Sequence, residues 1–139
     1  MFDFLKTKKM SKKDLAIETV VNMLQQQVQF GYHVDNVEFD NRLSNYYCRG
    51  YLFGFCDAFL QVINLRDDDN LSMRLLSTVH TKIYGEVKST FIIAQSLKDQ
   101  NNSSFDKGRK RGGQDCYESI KYEVPSIALS KYLLKGTET

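Results

Sequence analysis

The chain has few residues of the kinds that mark secreted or metal-stapled proteins. Its cysteines are only Cys48, Cys56 and Cys116, an odd number without C-x-x-C spacing, which argues against a disulfide framework and a zinc site. If Cys48 and Cys56 share a helix, they lie roughly 12 Å apart along its axis, beyond the ~7 Å limit on Cα separation for a bridge. The sequence therefore predicts free thiols, a reducing compartment and a cytoplasmic location.

Histidine is equally scarce. His33 and His80 are the only two, and neither has a ligand-type residue three or four positions away. The acidic run at 67–70 departs from a calcium loop at Leu71, where an oxygen ligand is needed, and at Ser72, where glycine belongs. Nothing in the sequence demands a nucleophile paired with a histidine. We therefore nominate no catalytic residue, expect no metal and no cofactor, and favour a non-enzymatic protein over an enzyme.

Neither sign of charge dominates, because 19 Lys and Arg residues face 17 Asp and Glu residues and leave a net charge of +2. A global electrostatic argument for nucleic acid is thereby excluded, and only two local basic runs, 6–13 and 109–111, support it. The candidate basic binding patch consists of Lys8, Lys9, Arg109, Lys110 and Arg111. Nucleic-acid binding through these segments is the alternative function.

The chain also lacks a long uninterrupted hydrophobic run. The most apolar window, residues 46–65, contains Arg49, Asp57 and Asn64, and a central charge costs about 2.5 to 3.5 kcal/mol to insert into a bilayer. Residues 1–5 contain four apolar side chains and Asp3 and precede the first lysines, which is the reverse of a secretory signal. We predict no membrane span and no export.

What the chain does contain is enough apolar sequence for one core. With 139 residues, 42% of them hydrophobic and 26% charged, the composition is that of an ordinary globular domain. We expect a basic, poorly ordered lead at residues 1–10 and a single helical domain at residues 11–136. The predicted fold class is all-α, a bundle of four to five helices.

Capping residues and apolar spacing place these helices. The first begins at Ser11 and stops at Gly31. Asp35 and Glu38 have capping-box spacing, which predicts a second helix over residues 36–65. A third follows the acidic run, with its apolar stripe at Leu71, Leu75, Val79, Ile83, Val87, Phe91 and Ala94.

The last part of the chain is ambiguous because it is rich in glycine. Phe105, Gly108, Gly112, Cys116 and Ile120 follow helical spacing and favour a fourth helix, whereas glycine propensity favours a loop over 105–113. A fifth helix over residues 126–135 follows the only proline.

Two glycine pairs are candidates for close helix packing. Gly50 and Gly54 are four residues apart in the second helix, and Gly108 and Gly112 are four apart in the fourth. Each helical glycine costs about 1 kcal/mol relative to alanine. We infer that the two pairs face each other, and the alternative is that the second pair belongs to a flexible basic loop.

Asp57 lies one turn beyond Gly54 in the most aromatic part of the chain. A carboxylate there is expected to be paired, hydrogen-bonded or protonated. A structural role is the simpler interpretation. A second alternative function is a small-ligand pocket or active site around Asp57, Tyr47 and Tyr51.

Residues 48–58 carry a short pattern of cysteine, glycine, tyrosine, glycine and aspartate-alanine. Its positions are Cys48, Gly50, Tyr51, Gly54, Asp57 and Ala58. The pattern resembles the central helix motif of small all-helical immunity proteins that neutralise type VI secretion amidase effectors. That resemblance implies a helical fold, self-association and inhibition of a partner by binding. Members of that family are typically exported and disulfide-stapled, and this chain shows neither feature.

The residues and the resemblance lead to the same functional class. We expect a non-enzymatic helical protein-protein interaction module, an inhibitor of the immunity type or an accessory binding protein. It would act as a homodimer on a further protein partner, through the aromatic-rich helix or an exposed stripe. This hypothesis requires a sizeable apolar patch on the surface.

Overall fold

A computed structural model describes residues 10–32 and 38–139, and every regular element within them is an α-helix. The helices are α1 (Lys12–Gly31), α2 (Phe39–Leu43), α3 (Tyr46–Val62), α4 (Asp69–Tyr84), α5 (Glu86–Lys98), α6 (Ser103–Tyr122) and α7 (Ala128–Lys135). The all-α class is confirmed. The count of four to five helices is wrong, because seven lie within the described residues.

Helix α1 begins and ends where the sequence predicts. The Ser11 hydroxyl accepts a hydrogen bond of 3.1 Å from the backbone N–H of Asp14, which satisfies one of the unpaired donors of the first turn. The buried face contains Ile17, Val20 and Leu24 and ends at Gly31, where Leu133 of α7 is close enough to exclude a larger side chain. Helix α7 therefore closes against the last turn of α1.

The predicted second helix is two helices, α2 and α3. Ser44 bonds back to the carbonyl of Asp40 at 3.1 Å, while the Asn45 side chain accepts from the N–H of Tyr46 at 2.9 Å and starts α3. Both side chains compete with the helical ladder for backbone groups, which is why Ser and Asn favour helix ends. Asp35 and Asn36, which carried the predicted start, lie outside the described residues.

The predicted third helix is also divided, at Gly85. This residue has φ +88°, a backbone conformation that glycine adopts without strain and that ends α4. Helix α5 then buries Ser89, Ile92 and Ser96. The prediction that Val87, Phe91 and Ala94 continue the packed stripe of α4 is wrong, because the change of direction at Gly85 turns them to solvent.

The predicted helices at the end of the chain are both present. Asn102 caps α6 by accepting from the N–H groups of Ser104 and Phe105, and α6 runs through the glycine-rich segment to Tyr122. The region 105–113 is therefore helix and not loop. Helix α7 ends on Gly136 at φ +74°, in the left-handed conformation expected after a helix.

Helix α3 is the centre of the arrangement. It packs most extensively along α6 and also contacts α1, α4, α5 and α7, while α4 packs on both α1 and α5. Its buried side chains include the aromatic residues Tyr47, Tyr51, Phe55 and Phe59. The aromatic-rich segment of the sequence thus supplies more of the core than any other helix.

The two glycine pairs lie where α3 and α6 cross. A Cβ at Gly50 would lie 2.0 Å from the carbonyl oxygen of Phe105, and one at Gly54 would lie 1.8 Å from that of Arg109. Seen from α6, a Cβ at Gly108 or Gly112 would lie 2.1 or 2.2 Å from a backbone oxygen of α3. The backbones therefore approach so closely that no side chain fits at any of the four positions.

This geometry predicts that Gly54→Ala is severely destabilising. The added methyl group overlaps backbone that cannot move without separating the two helices, so we expect a loss of more than about 3 kcal/mol in the free energy of unfolding. Urea denaturation followed by circular dichroism at 222 nm is the measurement.

Gly113→Ala is the matched control on α6, the other helix of the crossing. A Cβ there meets its nearest atoms at 3.7 and 3.8 Å, which is ordinary contact, and alanine is the better helix former by about 1 kcal/mol. We expect this variant to be neutral or more stable. Equal losses in the two variants would contradict the close approach of α3 to α6.

Candidate functional site

A chain of buried polar side chains lies beside the glycine crossing. The Tyr51 hydroxyl donates to Asp115 Oδ2 at 2.6 Å and accepts from Gln27 Nε2 at 2.8 Å. Burial and then the neighbouring Asp115 carboxylate raise the pKa of Tyr51 well above its usual value. The phenol therefore stays protonated and acts as a hydrogen-bond link between α1, α3 and α6.

The same chain continues into α7. Gln27 Oε1 accepts from the N–H of Leu129 at 3.1 Å, and the backbone carbonyl of Gln27 accepts from the Ser130 hydroxyl at 2.7 Å. On the other side, Arg111 Nε lies 3.0 Å from Asp115 Oδ1 as an ion pair, without the directionality of a hydrogen bond. The side-chain polar groups of Gln27 and Tyr51 are thus hydrogen-bonded within the protein, as a structural network requires.

Sequence reasoning did not identify Gln27 or give Asp115 this role. A signal was present in both cases. Gln27 follows Leu24 by three and precedes Gly31 by four, and Asp115 follows Gly108 by seven. A polar residue in a helical stripe of buried positions is typical of a buried hydrogen-bonded group.

Asp57, Tyr47 and Tyr51 do not form one site. Tyr47 is buried with its ring 4.7 Å from that of Tyr132, and its hydroxyl accepts from the N–H of Thr139 at 3.3 Å. Asp57 lies instead on the outer side of α3, with its side chain 48% exposed. The predicted grouping of the two tyrosines around this carboxylate is wrong.

Asp57 is paired, as its position in the sequence required. Its Oδ1 accepts from Arg66 Nε at 3.0 Å and its Oδ2 from Gln61 Nε2 at 3.1 Å. It lines a cavity of about 540 Å³ bounded by α3, α4, α6 and the segments that join them. Asp57 is therefore at the edge of a concave surface and outside the core.

Arg49 is a buried cation that sequence reasoning treated only as a break in an apolar run. It donates to Asp99 Oδ2 at 2.9 Å, to the Ser96 hydroxyl at 3.3 Å and to the carbonyl of Ser44 at 2.9 Å. These bonds join the start of α3 to the end of α5. The partners lie some fifty residues away, so local spacing gave no sign of them.

The basic run on α6 is largely neutralised. Arg109 and Lys110 both pair with Asp106, and Arg111 pairs with Asp115. Hydrogen bonds from Arg109 and then Lys110 lower the pKa of Asp106 below its usual value. Lys8 and Lys9, the other members of the candidate patch, lie outside the described residues. The predicted basic patch therefore receives no geometric support from its described half.

None of the three cysteines has the environment of a nucleophile. All are buried, unbridged thiols, and burial raises the pKa of Cys48 and of Cys116 to about 12. For Cys56, burial and then neighbouring Cys116 raise the pKa further. A thiolate is the reactive form of cysteine, so these groups act as small apolar side chains.

His80 is buried between rings of α3 and α4. Its Nδ1 lies 2.7 Å from the carbonyl oxygen of Leu76, which can only accept, so Nδ1 carries the proton. Phe53 and Tyr84 lie with their ring centroids 5.6 and 5.7 Å from the imidazole. Its Nε2 has no hydrogen-bond partner among the described residues, and burial lowers the pKa of His80 to about 4.

The most exposed apolar surface of a helix belongs to α5. Val87 is 95% exposed, Phe91 63% and Leu97 54%, and Ala94 between them is exposed as well. The buried face of α5 lies on the opposite side and contains Ser89, Ile92 and Ser96. Helix α5 therefore buries two serines together with Ile92 and leaves Val87, Phe91 and Leu97 in water.

The part of the chain that the structure describes contains no cluster of three or more His, Cys, Asp or Glu residues able to hold a metal ion. None of its helices is both long and apolar enough to cross a bilayer. His33 lies outside those residues. Comparison of the chain with family models, with curated proteins and with solved structures finds no match.

The burial of His80 predicts a specific pH dependence of stability. Its pKa is about 4 when folded and 6.5 in a model peptide, so unfolding takes up a proton between these values. Stability is then complete above pH 6.5 and falls as the pH drops toward 4, by about 3 kcal/mol at most. Urea denaturation at a series of pH values measures the loss.

His80→Phe keeps an aromatic ring beside Phe53 and Tyr84 but cannot be protonated. We expect its free energy of unfolding to be nearly constant from pH 6.5 to 4.5, where carboxylates contribute little because their unfolded pKa values lie near 4. If the free energy of unfolding changed equally with pH in the wild type and in the variant, His80 would not be the group responsible.

Proposed function

We propose that this protein is a non-enzymatic interaction module that forms a homodimer through the outer face of α5 and acts on a protein partner by binding. The observation that carries the proposal is the exposed stripe of Val87, Phe91, Ala94 and Leu97. Contiguous apolar surface on a helix face is typical of a protein interface.

The stripe is complementary to itself when two copies run antiparallel. A twofold axis midway between Phe91 and Ala94 places each phenylalanine over the alanine of the other copy, a large side chain against a small one. Glu86 at the start of α5 then lies within one residue, about 1.5 Å along the helix axis, of the level of Lys98 at the end of the second helix. Antiparallel helices also place their opposite dipole ends side by side.

The rest of the molecule supports binding over chemistry. Within the described residues, the buried thiols have raised pKa values, the buried imidazole has a lowered one, and Asp57, Asp106 and Asp115 are all paired. Unbridged buried cysteines also support the proposal of a reducing, cytoplasmic compartment.

The residues that carry the resemblance to immunity proteins support the proposal because they stabilise the fold. Gly50 and Gly54 carry the approach to α6, and Tyr51 carries the bond to Asp115. These residues hold α3 in the bundle, and the partner-binding function that the resemblance implies would use the surface of that bundle.

Phe91→Glu is expected to dissociate the homodimer. A charge replaces the largest apolar side chain of the stripe, so the dimer dissociation constant should rise at least about tenfold. Sedimentation velocity over a series of concentrations measures it. Phe30→Glu is the matched control, since Phe30 is 76% exposed on α1 and is outside the stripe. A wild-type chain that stays monomeric at every concentration would refute the homodimer.

A charge exchange tests the antiparallel arrangement separately. Glu86→Lys and Lys98→Glu should each weaken dimerisation about two- to fivefold, because each places like charges together at the rim of the interface. The double variant restores opposite charges and should recover most of the wild-type affinity. If the double variant is no tighter than either single one, the two residues do not meet across the axis.

A further inference from the structure

The cavity beside Asp57 is lined mainly by polar groups, with a charged rim around a smaller apolar floor. Its floor is formed by Phe53, Cys56, Leu60, Leu76 and Phe105, of which all but Phe53 and Leu76 are buried. Its rim carries two arginines from separate elements, Arg66 and Arg109. A volume of about 540 Å³ lies within the range of small-molecule sites, which combine an apolar lining with a few polar groups.

The acids on the rim are already occupied. Both oxygens of Asp57 accept hydrogen bonds, from Arg66 and from Gln61. Both oxygens of Asp106 are likewise engaged, one by Arg109 and the other by Lys110 at 3.0 Å. An incoming cation would therefore have to displace an existing partner from each carboxylate.

In contrast to these carboxylates, the guanidinium groups of Arg66 and Arg109 use few of their hydrogen-bond donors within the described residues. Arg66 donates through Nε alone and Arg109 through one terminal nitrogen alone, and their other N–H groups bond to no described residue. Both side chains are about half exposed, at 60% and 49%. A guanidinium has five N–H donors and no acceptor, so the rim offers mainly unused donors to a ligand.

We propose that this cavity binds a small organic monocarboxylate, with its apolar body on the floor and its carboxylate bonded to Arg66 and Arg109. Guanidinium and carboxylate form short, charge-assisted and often bidentate hydrogen bonds. Ser72, Gln100 and Asn101 also line the cavity and add neutral polar groups beside the charged ones. The site is separate from the α5 stripe and does not rest on the proposed dimer.

The position of Arg109 is set by the glycine crossing. Its backbone carbonyl lies against Gly54, so its Cα is held where α3 and α6 are closest, while its side chain extends along the rim. A fixed backbone favours ligand binding by an arginine, because less conformational entropy is lost when the side chain becomes ordered.

The test is a titration of the full chain with phenylacetate, followed by 1H–15N NMR. We expect saturable shifts at Asn101, Phe105 and other cavity-lining residues. Phenylacetamide, the neutral analogue of the same shape, should bind at least about tenfold more weakly, since it lacks the charge that the arginines recognise.

Two variants test separately the contribution of the arginine charges and that of the cavity volume. The double variant Arg66→Gln, Arg109→Gln should lower the affinity for phenylacetate at least about tenfold. Ser72→Trp should abolish binding by filling the cavity while both arginines remain. Arg74→Gln is the matched control, because Arg74 is an equally exposed arginine paired with Asp14 outside the cavity, and it should bind as the wild type does.

Three results would overturn the proposal. Phenylacetamide could bind as tightly as phenylacetate, the double arginine variant could keep the wild-type affinity, or the shifts could fail to saturate and spread over the surface. Circular dichroism spectra identical to the wild type ensure that each variant is folded when its affinity is compared.

Discussion

The contact on which the rest of the structure depends is the approach of α3 to α6 without side chains between them. At Gly50, Gly54, Gly108 and Gly112 the backbone of one helix occupies the space that a Cβ of the other would need. Four glycines in two helices cost several kcal/mol of helix propensity in total. That cost is offset by packing of backbone on backbone, with dispersion contacts along the whole crossing.

This approach also determines which polar groups meet. With the two helices so close, Tyr51 on α3 reaches Asp115 on α6 directly, and Gln27 of α1 completes the bond to the tyrosine hydroxyl. A buried donor or acceptor left without a partner costs about 1 to 3 kcal/mol. A shift in the α3–α6 register would leave several such groups unpaired, so the network specifies the register that the glycines permit.

The elements that sequence analysis predicted are those whose signals are local. The Ser11 cap, the glycine spacing of α6 and Pro125 before α7 each act within a few residues. The missed breaks at Ser44–Asn45 and Gly85 have a different cause. A serine, an asparagine or one glycine inside an apolar pattern is compatible with a continuous helix. The helix breaks at these positions because packing of the separate helices on the rest of the bundle is more favourable.

For the candidate sites, too, the sequence predicted features that depend on local spacing and missed those that depend on distant parts of the chain. The facing of the two glycine pairs followed from spacing, and the pairing of Asp57 followed from the cost of an unpaired carboxylate. The partners of Arg49 and the distant residues that line the cavity at Asp57 did not, because Asp99 and Arg109 reach them from about fifty residues further along the chain. Periodicity describes one helix at a time and holds no information on which helices become neighbours.

Packing within the bundle does not by itself explain which side chains of helix α5 face inward and which face water. If it served only to cover α4, its larger apolar side chains would face inward and Ser89 and Ser96 would face water. In the structure Ile92 is buried, but both serines also face inward while Val87, Phe91 and Leu97 face water. Arg49 fixes this orientation by bonding to Ser96 and to Asp99 just beyond the helix. Because those bonds hold Ser96 inside, Val87 and Phe91 cannot rotate into the core without stripping a buried guanidinium of its partners. The exposed stripe is therefore maintained by the same interactions that attach α5 to the bundle, and an apolar surface held outward in this way is suited to contact with a protein.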